Sequence, residues 1–445
     1  MKKTWTREID VRIKKTTICI IISVLVVAVT DVVLIHDIPF KTKVTQAKQE
    51  SNLPYGNYLP DSKNPLIRVV LKTNGFKGIA HPEIQISAAN GLVVKKEEML
   101  KEVNPEEVLC LKPDDVLFQN GSIWIESKTK DDRIVLNSLS RGCGTPSYRG
   151  CLELFSTAEG IVIVNEVALE EYLYAVVPSE MPASYGIEAL KCQAICARSY
   201  AYCQMLAFAY PEYKAHVDDS VSFQVYGNSK EQASTCQAVE ETKGEKLWYR
   251  DNVVKTYYYS TSCGHSTSVE AWGSALSEKN QYLKGVPICN EEGKNYEEHL
   301  PWYKWQATIP QLTMEYLIEL NSGEEIGTLQ NVIVKKQGIG GVALQLEVQG
   351  SSKTISVETE NKIRKVLGGD GYQIEKNDGS VINSNTLLPS AFFSIAKIGE
   401  NYIIKGGGYG HGIGMSQNGA NEMAKDGKTY KEILMFFYPG TKVEL

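Results

Sequence analysis

At 445 residues the chain is too long for one small core, and its 43% apolar and 22% charged residues are ordinary for a globular protein. The net charge of −6, with no basic run beyond the N-terminus, argues against a nucleic-acid-binding protein. An anionic polymer would have to be held by local contacts.

The N-terminus reads as a targeting segment. Lys2, Lys3, Arg7, Arg12, Lys14 and Lys15 precede an apolar run from Ile18 to Val29 that continues through Val32 to Ile35. Its length is near the lower limit for a bilayer span, and the basic side stays in the cytoplasm. No small-residue cleavage pattern follows, so an uncleaved single-pass anchor is expected, with a cleaved signal peptide as the alternative. Asp31 is costly in hydrocarbon and tolerable near the outer interface. The expected order is a basic cytoplasmic tail (1–16), a transmembrane anchor (17–35) and a polar stalk (36–64) with Pro39, Pro54 and Pro60.

From Leu66 to about residue 168 short β-type runs alternate with Gly, Asn and Asp turns. A helix is predicted over Leu169–Val176, ending before Pro178. A second runs from Tyr185 to about Phe208, with Leu190, Ala194, Ala197 and Ala201 on one face, and a third covers Lys230–Glu241. Lys191 and Arg198 are seven apart and share a side of the second helix. Residues 253–262 read as a strand. The pattern changes over 301–393, which reads as an inserted lobe of helices and strands. The tail runs from a strand at Tyr402–Lys405 through glycines to a helix at 415–425.

Ten cysteines in an external protein call for disulfide bookkeeping. Cys143 with Cys151, across a turn-rich loop, and Cys263 with Cys289 are candidate bridges. Cys192, Cys196 and Cys203 share a helical face. With His216 or Cys236 they offer a structural zinc alternative, which would need four ligands on converging elements; buried or disulfide cysteines are commoner, so no cofactor is expected.

Pro178-Ser179-Glu180-Met181-Pro182 places one carboxylate between two prolines, each restricting its own φ and the residue before it. A fixed carboxylate is what a catalytic acid requires. Gly406–Gly412 holds five glycines in seven positions around His411. It matches no dinucleotide or phosphate-loop pattern, and neither a zincin motif nor a G-x-S-x-G elbow is present. A conventional two-carboxylate glycosidase would need Asp218 or Asp219 beside Glu180.

Four blocks carry a family resemblance: Val177–Pro182 with Ala189–Ala201; Gln224-Val225-Tyr226-Gly227; Tyr259–Ser266 through Tyr282–Val286; and Gly408–Ala420 with Phe436–Thr441. In this order they resemble the SpoIID/LytB family. The resemblance implies a peptidoglycan lytic transglycosylase acting on glycan strands stripped of stem peptides. It also implies partners: a SpoIIP-like amidase and a SpoIIM-like membrane protein. Glu180 matches the family's catalytic acid, and Lys191 and Arg198 match supporting basic residues expected on the substrate side. Gln224, Tyr226, Ser262, His411, Ser416 and Gln417 fall in the same blocks as candidate binding or supporting residues. Val217 and Phe223 stand where some relatives carry metal-binding cysteines, so no metal is carried over. Amidase-enhancer members imply a non-catalytic alternative.

The expected fold is α+β. A mixed helix/strand catalytic domain (169–300 and 394–445) carries the 301–393 lobe and follows a β-rich segment (65–168), behind one transmembrane helix. The expected location is the cell membrane, with the catalytic region outside.

Overall fold

The computed structural model describes residues 65–445, apart from 98 and 106. The expected tail, anchor and stalk, and Cys19, lie outside the described residues. Among the described residues no helix is long and apolar enough to cross a membrane.

The β-rich segment forms two sheets. The larger has eight strands, with Val217–Asp218 at one edge, then Leu66–Leu71, Gly160–Ala168, Cys151–Thr157, Ile123–Ser127, Leu92–Lys96 and Met99–Val103; Ala80–His81 pairs with Gly160–Ala168. Pairing is antiparallel except that Val217–Asp218 runs parallel to Leu66–Leu71. The smaller sheet has four strands, from Leu109–Leu111 to Ser147–Tyr148. The segment is not an independent core. Ile67, Ile84, Leu152 and Ile163 belong to the same apolar cluster as Leu173, Leu190, Ile195 and Ile433 from the helices.

The Gly160–Ala168 strand passes directly into α1 (Leu169–Glu180). Beside it lie α2 (Ile187–Gln204) and α3 (Ala233–Glu241). In α2 Ala189, Ala194, Ala197 and Ala201 are fully buried. Their small side chains let neighbouring elements approach closely, so this helix is the hub of the domain.

The lobe has its own core, including Trp305, Ile309, Leu317, Ile318, Leu346 and Ile404. It holds α4 (Gln311–Ser322), α5 (Glu360–Val366), a three-stranded sheet and a five-stranded sheet. The five-stranded order is Val381–Asn383, Gln373–Lys376, Trp305–Pro310, Asn401–Gly406, Phe393–Ile398. The last two strands pair along their length, so the lobe extends to Gly406 rather than ending at residue 393. The chain closes with α6 (Gln417–Lys425), α7 (Tyr430–Phe437) and a strand, Thr441–Glu444.

The nine described cysteines are free thiols, which corrects the expected bridges. Cys143 Sγ approaches the Gly227 carbonyl at 3.6 Å, whereas Cys151 Sγ lies 3.8 Å from that of Glu166. Their loop therefore does not close on itself. Cys263 and Cys289 flank the His265–Pro287 bridge without being bonded. The helical thiols face separate neighbours: Cys192 the Tyr430 carbonyl, Cys196 the Tyr438 hydroxyl, Cys203 the Val253 carbonyl. His216 Nδ1 accepts from the Arg68 backbone at 3.0 Å. The candidate zinc ligands are thus dispersed.

Candidate active site

The structure places Glu180 at the last position of α1, with Pro178 inside the helix. The expectation that the helix ends before Pro178 is corrected. Pro178 sits in the final turn and has no N–H to give the carbonyl four residues back, so the helix is weakened just before it stops at Met181. Pro182 sets the stop: Met181 is extended (φ −130°, ψ 136°), as a residue before proline prefers, and its N–H closes on Val177 at 2.9 Å. The carboxylate is therefore aimed by a helix end that one proline weakens and the other terminates.

Glu180 keeps partial exposure as a residue, yet its carboxyl titrates as a desolvated group. Burial pushes its pKa up to about 7, against two hydrogen bonds that favour the charged form, from the Val225 N–H (2.7 Å to Oε1) and the Tyr258 hydroxyl. The negative end of the α1 dipole acts in the same direction as burial. Tyr172, Tyr200 and Tyr258 all lie within reach of the Glu180 charge.

Two distant segments complete the setting. The expected 253–262 strand breaks into the end of Asn252–Val253 and a separate Tyr258–Tyr259, which pairs parallel with Met415–Ser416. Gly414 makes this approach possible: its φ is +78°, and a Cβ there would lie 2.0 Å from the Tyr257 carbonyl oxygen. Gln417, in the first turn of α6, donates through Nε2 to the Glu180 carbonyl (2.9 Å) and to Gln193 Oε1 (3.2 Å). It satisfies one of the carbonyls left open at the end of α1. Gln224 contacts the Tyr172 hydroxyl (3.4 Å), the Tyr258 hydroxyl (3.3 Å) and the Ala197 carbonyl (3.4 Å). It holds the tyrosines around Glu180. Tyr226 is buried behind them, its ring against Tyr172 and its hydroxyl on Asn165 at 2.7 Å.

Lys191 and Arg198 share a helix side as the sequence indicates, but it is the wrong side for a substrate contact. Gln193 and Ala197 meet the site, and a helix turns by about 200° over two residues, which carries Lys191 away from it. Lys191 pairs with Glu188 (3.0 Å) and with Glu241 of α3 (2.8 Å). Arg198, with 1% of its side chain exposed, makes a two-point ion pair with Glu170 (2.8 and 2.7 Å) and donates to the Val239 and Glu245 carbonyls. It joins the start of α1 to the end of α3. Because these cations are held elsewhere, neither depresses the Glu180 pKa.

Ser262 and Ser416 converge on a residue that sequence reasoning missed. Glu297 has 0% exposure and accepts from the Ser262 N–H (2.9 Å), the Ser262 hydroxyl and the Ser416 hydroxyl (2.8 Å). Burial raises its pKa to about 7. Ser416 also caps α6 through the Gly419 N–H. Glu297 therefore ties the segment after Tyr259 to the helix that carries Gln417. Nothing around Asn295-Tyr296-Glu297-Glu298 marks it out, because its partners are 35 and 119 positions away. His411 packs near Tyr259 (5.7 Å between centroids) and Trp272 (5.1 Å), and its Nδ1 accepts from the Ile413 N–H. Tyr259 alternates with Tyr258 along the strand, so this ring group lies on the face away from Glu180.

Neither alternative acid is placed as a second catalytic group. Asp219 forms a fully buried ion pair with Arg141 and accepts from the Lys72 N–H. Asp218 accepts from the Ser220 N–H (2.8 Å), the Ser220 hydroxyl (2.6 Å) and the Tyr210 hydroxyl (2.6 Å). Among the described residues no cluster of three or more His, Cys, Asp or Glu could hold a metal ion.

The fold and site define a mixed α/β protein with a helix-end glutamate whose pKa burial pushes up to about 7. Comparison with known proteins agrees with the first two sequence blocks. The family model described as stage II sporulation protein matches residues 157–249, which cover α1, α2 and α3, and a domain family of unknown function matches 275–414, which includes the lobe. Stage II sporulation protein D of Bacillus subtilis (strain 168) is 32% identical over 63% of this chain and 75% of its own length. The chain belongs to the stage II sporulation protein D family. An uncharacterised protein of Brachyspira hyodysenteriae is 31% identical over 76% of this chain and 80% of its own length. The amidase enhancer of B. subtilis is 30% identical over 60% of this chain, but the match spans only 40% of that protein.

Proposed function

We propose that the protein is a peptidoglycan lytic transglycosylase, cleaving the MurNAc–GlcNAc bond of denuded glycan strands. The observation that carries this reading is the isolation of Glu180: one carboxyl group with a pKa of about 7 and partial access, while Asp218 and Asp219 are committed to other partners. Protonated Glu180 gives its proton to the glycosidic oxygen, and the C1–O bond breaks as the GlcNAc hydroxyl leaves. The Glu180 carboxylate then takes the proton of the MurNAc C6 hydroxyl, whose oxygen bonds to C1. The product is a 1,6-anhydro end and Glu180 is again protonated. An internal nucleophile needs no activated water and no second carboxylate, in contrast to a two-carboxylate hydrolase.

In this reading the protein is anchored through residues 17–35 with its catalytic region outside the cell membrane, and it works beside a SpoIIP-like amidase and a SpoIIM-like membrane protein. The similarity to an amidase enhancer favours one alternative, a cell-wall protein that binds glycan and stimulates an amidase without cutting. Digestion of denuded strands followed by mass spectrometry separates the readings. The transglycosylase gives anhydro ends that vanish in Glu180→Gln, a hydrolase gives reducing ends, and the enhancer leaves the strands intact.

A further inference from the structure

The lobe meets the catalytic segment at a concavity that the chemistry above does not use. A cavity of about 310 Å³ opens there, with Cys263, Tyr303, Lys304, Phe392, Ser394 and Lys405 on its walls. Gly406 and Gly407 add backbone to its wall; a Cβ on Gly407 would lie 2.5 Å from the Tyr303 carbonyl oxygen and 2.7 Å from Cys263 Cβ, so glycine there lets this strand end pack closely on both. Strand register explains the grouping. Lys405 stands opposite Ser394 on one neighbour and Gln306 on the other. Lys304 immediately precedes the Trp305–Pro310 strand, two residues before Gln306. Both lysines are exposed.

The charges are unbalanced. Among the described residues neither ammonium pairs with a carboxylate; the contact of Lys304 is the Tyr303 ring, 5.7 Å from Nζ to centroid. Glu375, across the next strand, is already bound by Gln306 Nε2 at 2.7 Å. Two free cations and a hydroxyl in one concavity suit an anionic ligand. A sugar ring that carries a carboxylate is such a ligand, its acid meeting the ammonium groups and its hydroxyls the Ser394 side chain.

The chain path links this cavity to Glu180. Tyr258 hydrogen-bonds Glu180, and Cys263, five residues on, lines the cavity. That segment spans at most ~18 Å. The cavity therefore lies within a few sugar rings of the cleavage point.

We propose that the lobe junction is a distal glycan subsite that selects the lactyl carboxylate of a muramic acid residue, through Lys304 and Lys405. The inference rests on the proposed substrate class. It gives the lobe a role in recognition, since the acid it reads distinguishes peptidoglycan strands from neutral N-acetylglucosamine polymers.

Calorimetric binding to the full chain carrying Glu180→Gln, with denuded strands in native and carboxyl-reduced form, tests the subsite. The native strands should bind more tightly. Adding Lys304→Glu and Lys405→Glu should weaken that binding by about tenfold and remove the preference over reduced strands. Lys362→Glu, an exposed charge reversal on α5, should change neither, and melting temperatures should hold across the set because all three lysines are exposed. The proposal is overturned if the double variant binds native strands like its parent, or if the parent does not discriminate. Wild type that still yields anhydro ends in that event preserves the transglycosylase reading and sinks the subsite alone. A parent that binds neither strand, with wild type that cleaves nothing, removes both.

Discussion

Glu180 and Glu297 are both desolvated glutamates with pKa values raised to about 7, yet they do opposite work. Glu180 takes one backbone N–H and one tyrosine hydroxyl and remains partly open to solvent. Glu297 has no exposed surface and takes three donors from two segments of the chain. Burial alone lifts either acid. Access and spare lone pairs distinguish a group that can hand a proton to a substrate from one that fastens two strands together. A raised pKa thus points to candidates, and the surroundings decide between them.

The contrast is broken most directly by Glu180→Gln. Cleavage of denuded strands should fall by ~10²–10⁴-fold, the usual worth of a positioned acid, with little change in melting temperature. If the Gln variant cleaves at the wild-type rate, the contrast between the two acids fails. Arg198→Ala should act the other way, costing about 3–5 kcal/mol in denaturant unfolding because it strands the Glu170 carboxylate, with activity lost in proportion to folded protein. A soluble, fully folded but inactive Arg198→Ala would return Arg198 to a direct role.

Glu297→Gln sharpens the contrast. Replacing an acceptor-only carboxylate with an amide disrupts at least one of three donor contacts, worth about 1–3 kcal/mol at neutral pH. The pH dependence carries a sign. Both glutamates have folded pKa values above the unfolded value of 4.5, so the folded state binds more protons between about 4.5 and 7. Their contribution to stability is full below that window and is lost as pH rises through 7. Unfolding titrations should show a shallower loss in Glu297→Gln. Activity should also decline above pH 7 in wild type as Glu180 loses the proton it must donate. Loss of that alkaline limb in Glu297→Gln, with Glu180 intact, would show that the wrong acid had been assigned. The smallest effect concerns the thiols: a reductant should leave the melting temperature unchanged, whereas a drop would reveal a bridge.

Much of the scaffold is legible in local sequence. The alanine spacing of α2, the glycines before α6 and the strands around Leu66 and Gly160 all carry short-range signals. Glu180 stands out through its prolines, although Pro178 suggests a helix end where the helix in fact continues for two more residues. What is hidden depends on distant pairing. The seven-residue spacing of Lys191 and Arg198 shows a shared side of α2; only the position of Glu170, 28 residues upstream, shows which side it is. The Tyr258–Tyr259 strand is short because its partner is also short. Cysteine spacing suggests bridges, but each thiol turns toward a different carbonyl or hydroxyl.

The parallel pairing of Tyr258–Tyr259 with Met415–Ser416 joins segments separated by more than a third of the chain, with the whole lobe threaded between them. A contact of such long sequence separation forms late, after the intervening loop has lost its freedom. The strand beside Tyr258 and the amide that steadies the Glu180 carbonyl therefore exist only once the last stretch of polypeptide has arrived. During synthesis, chains that have not yet reached Ser416 lack that seam, so competence at Glu180 waits for that segment.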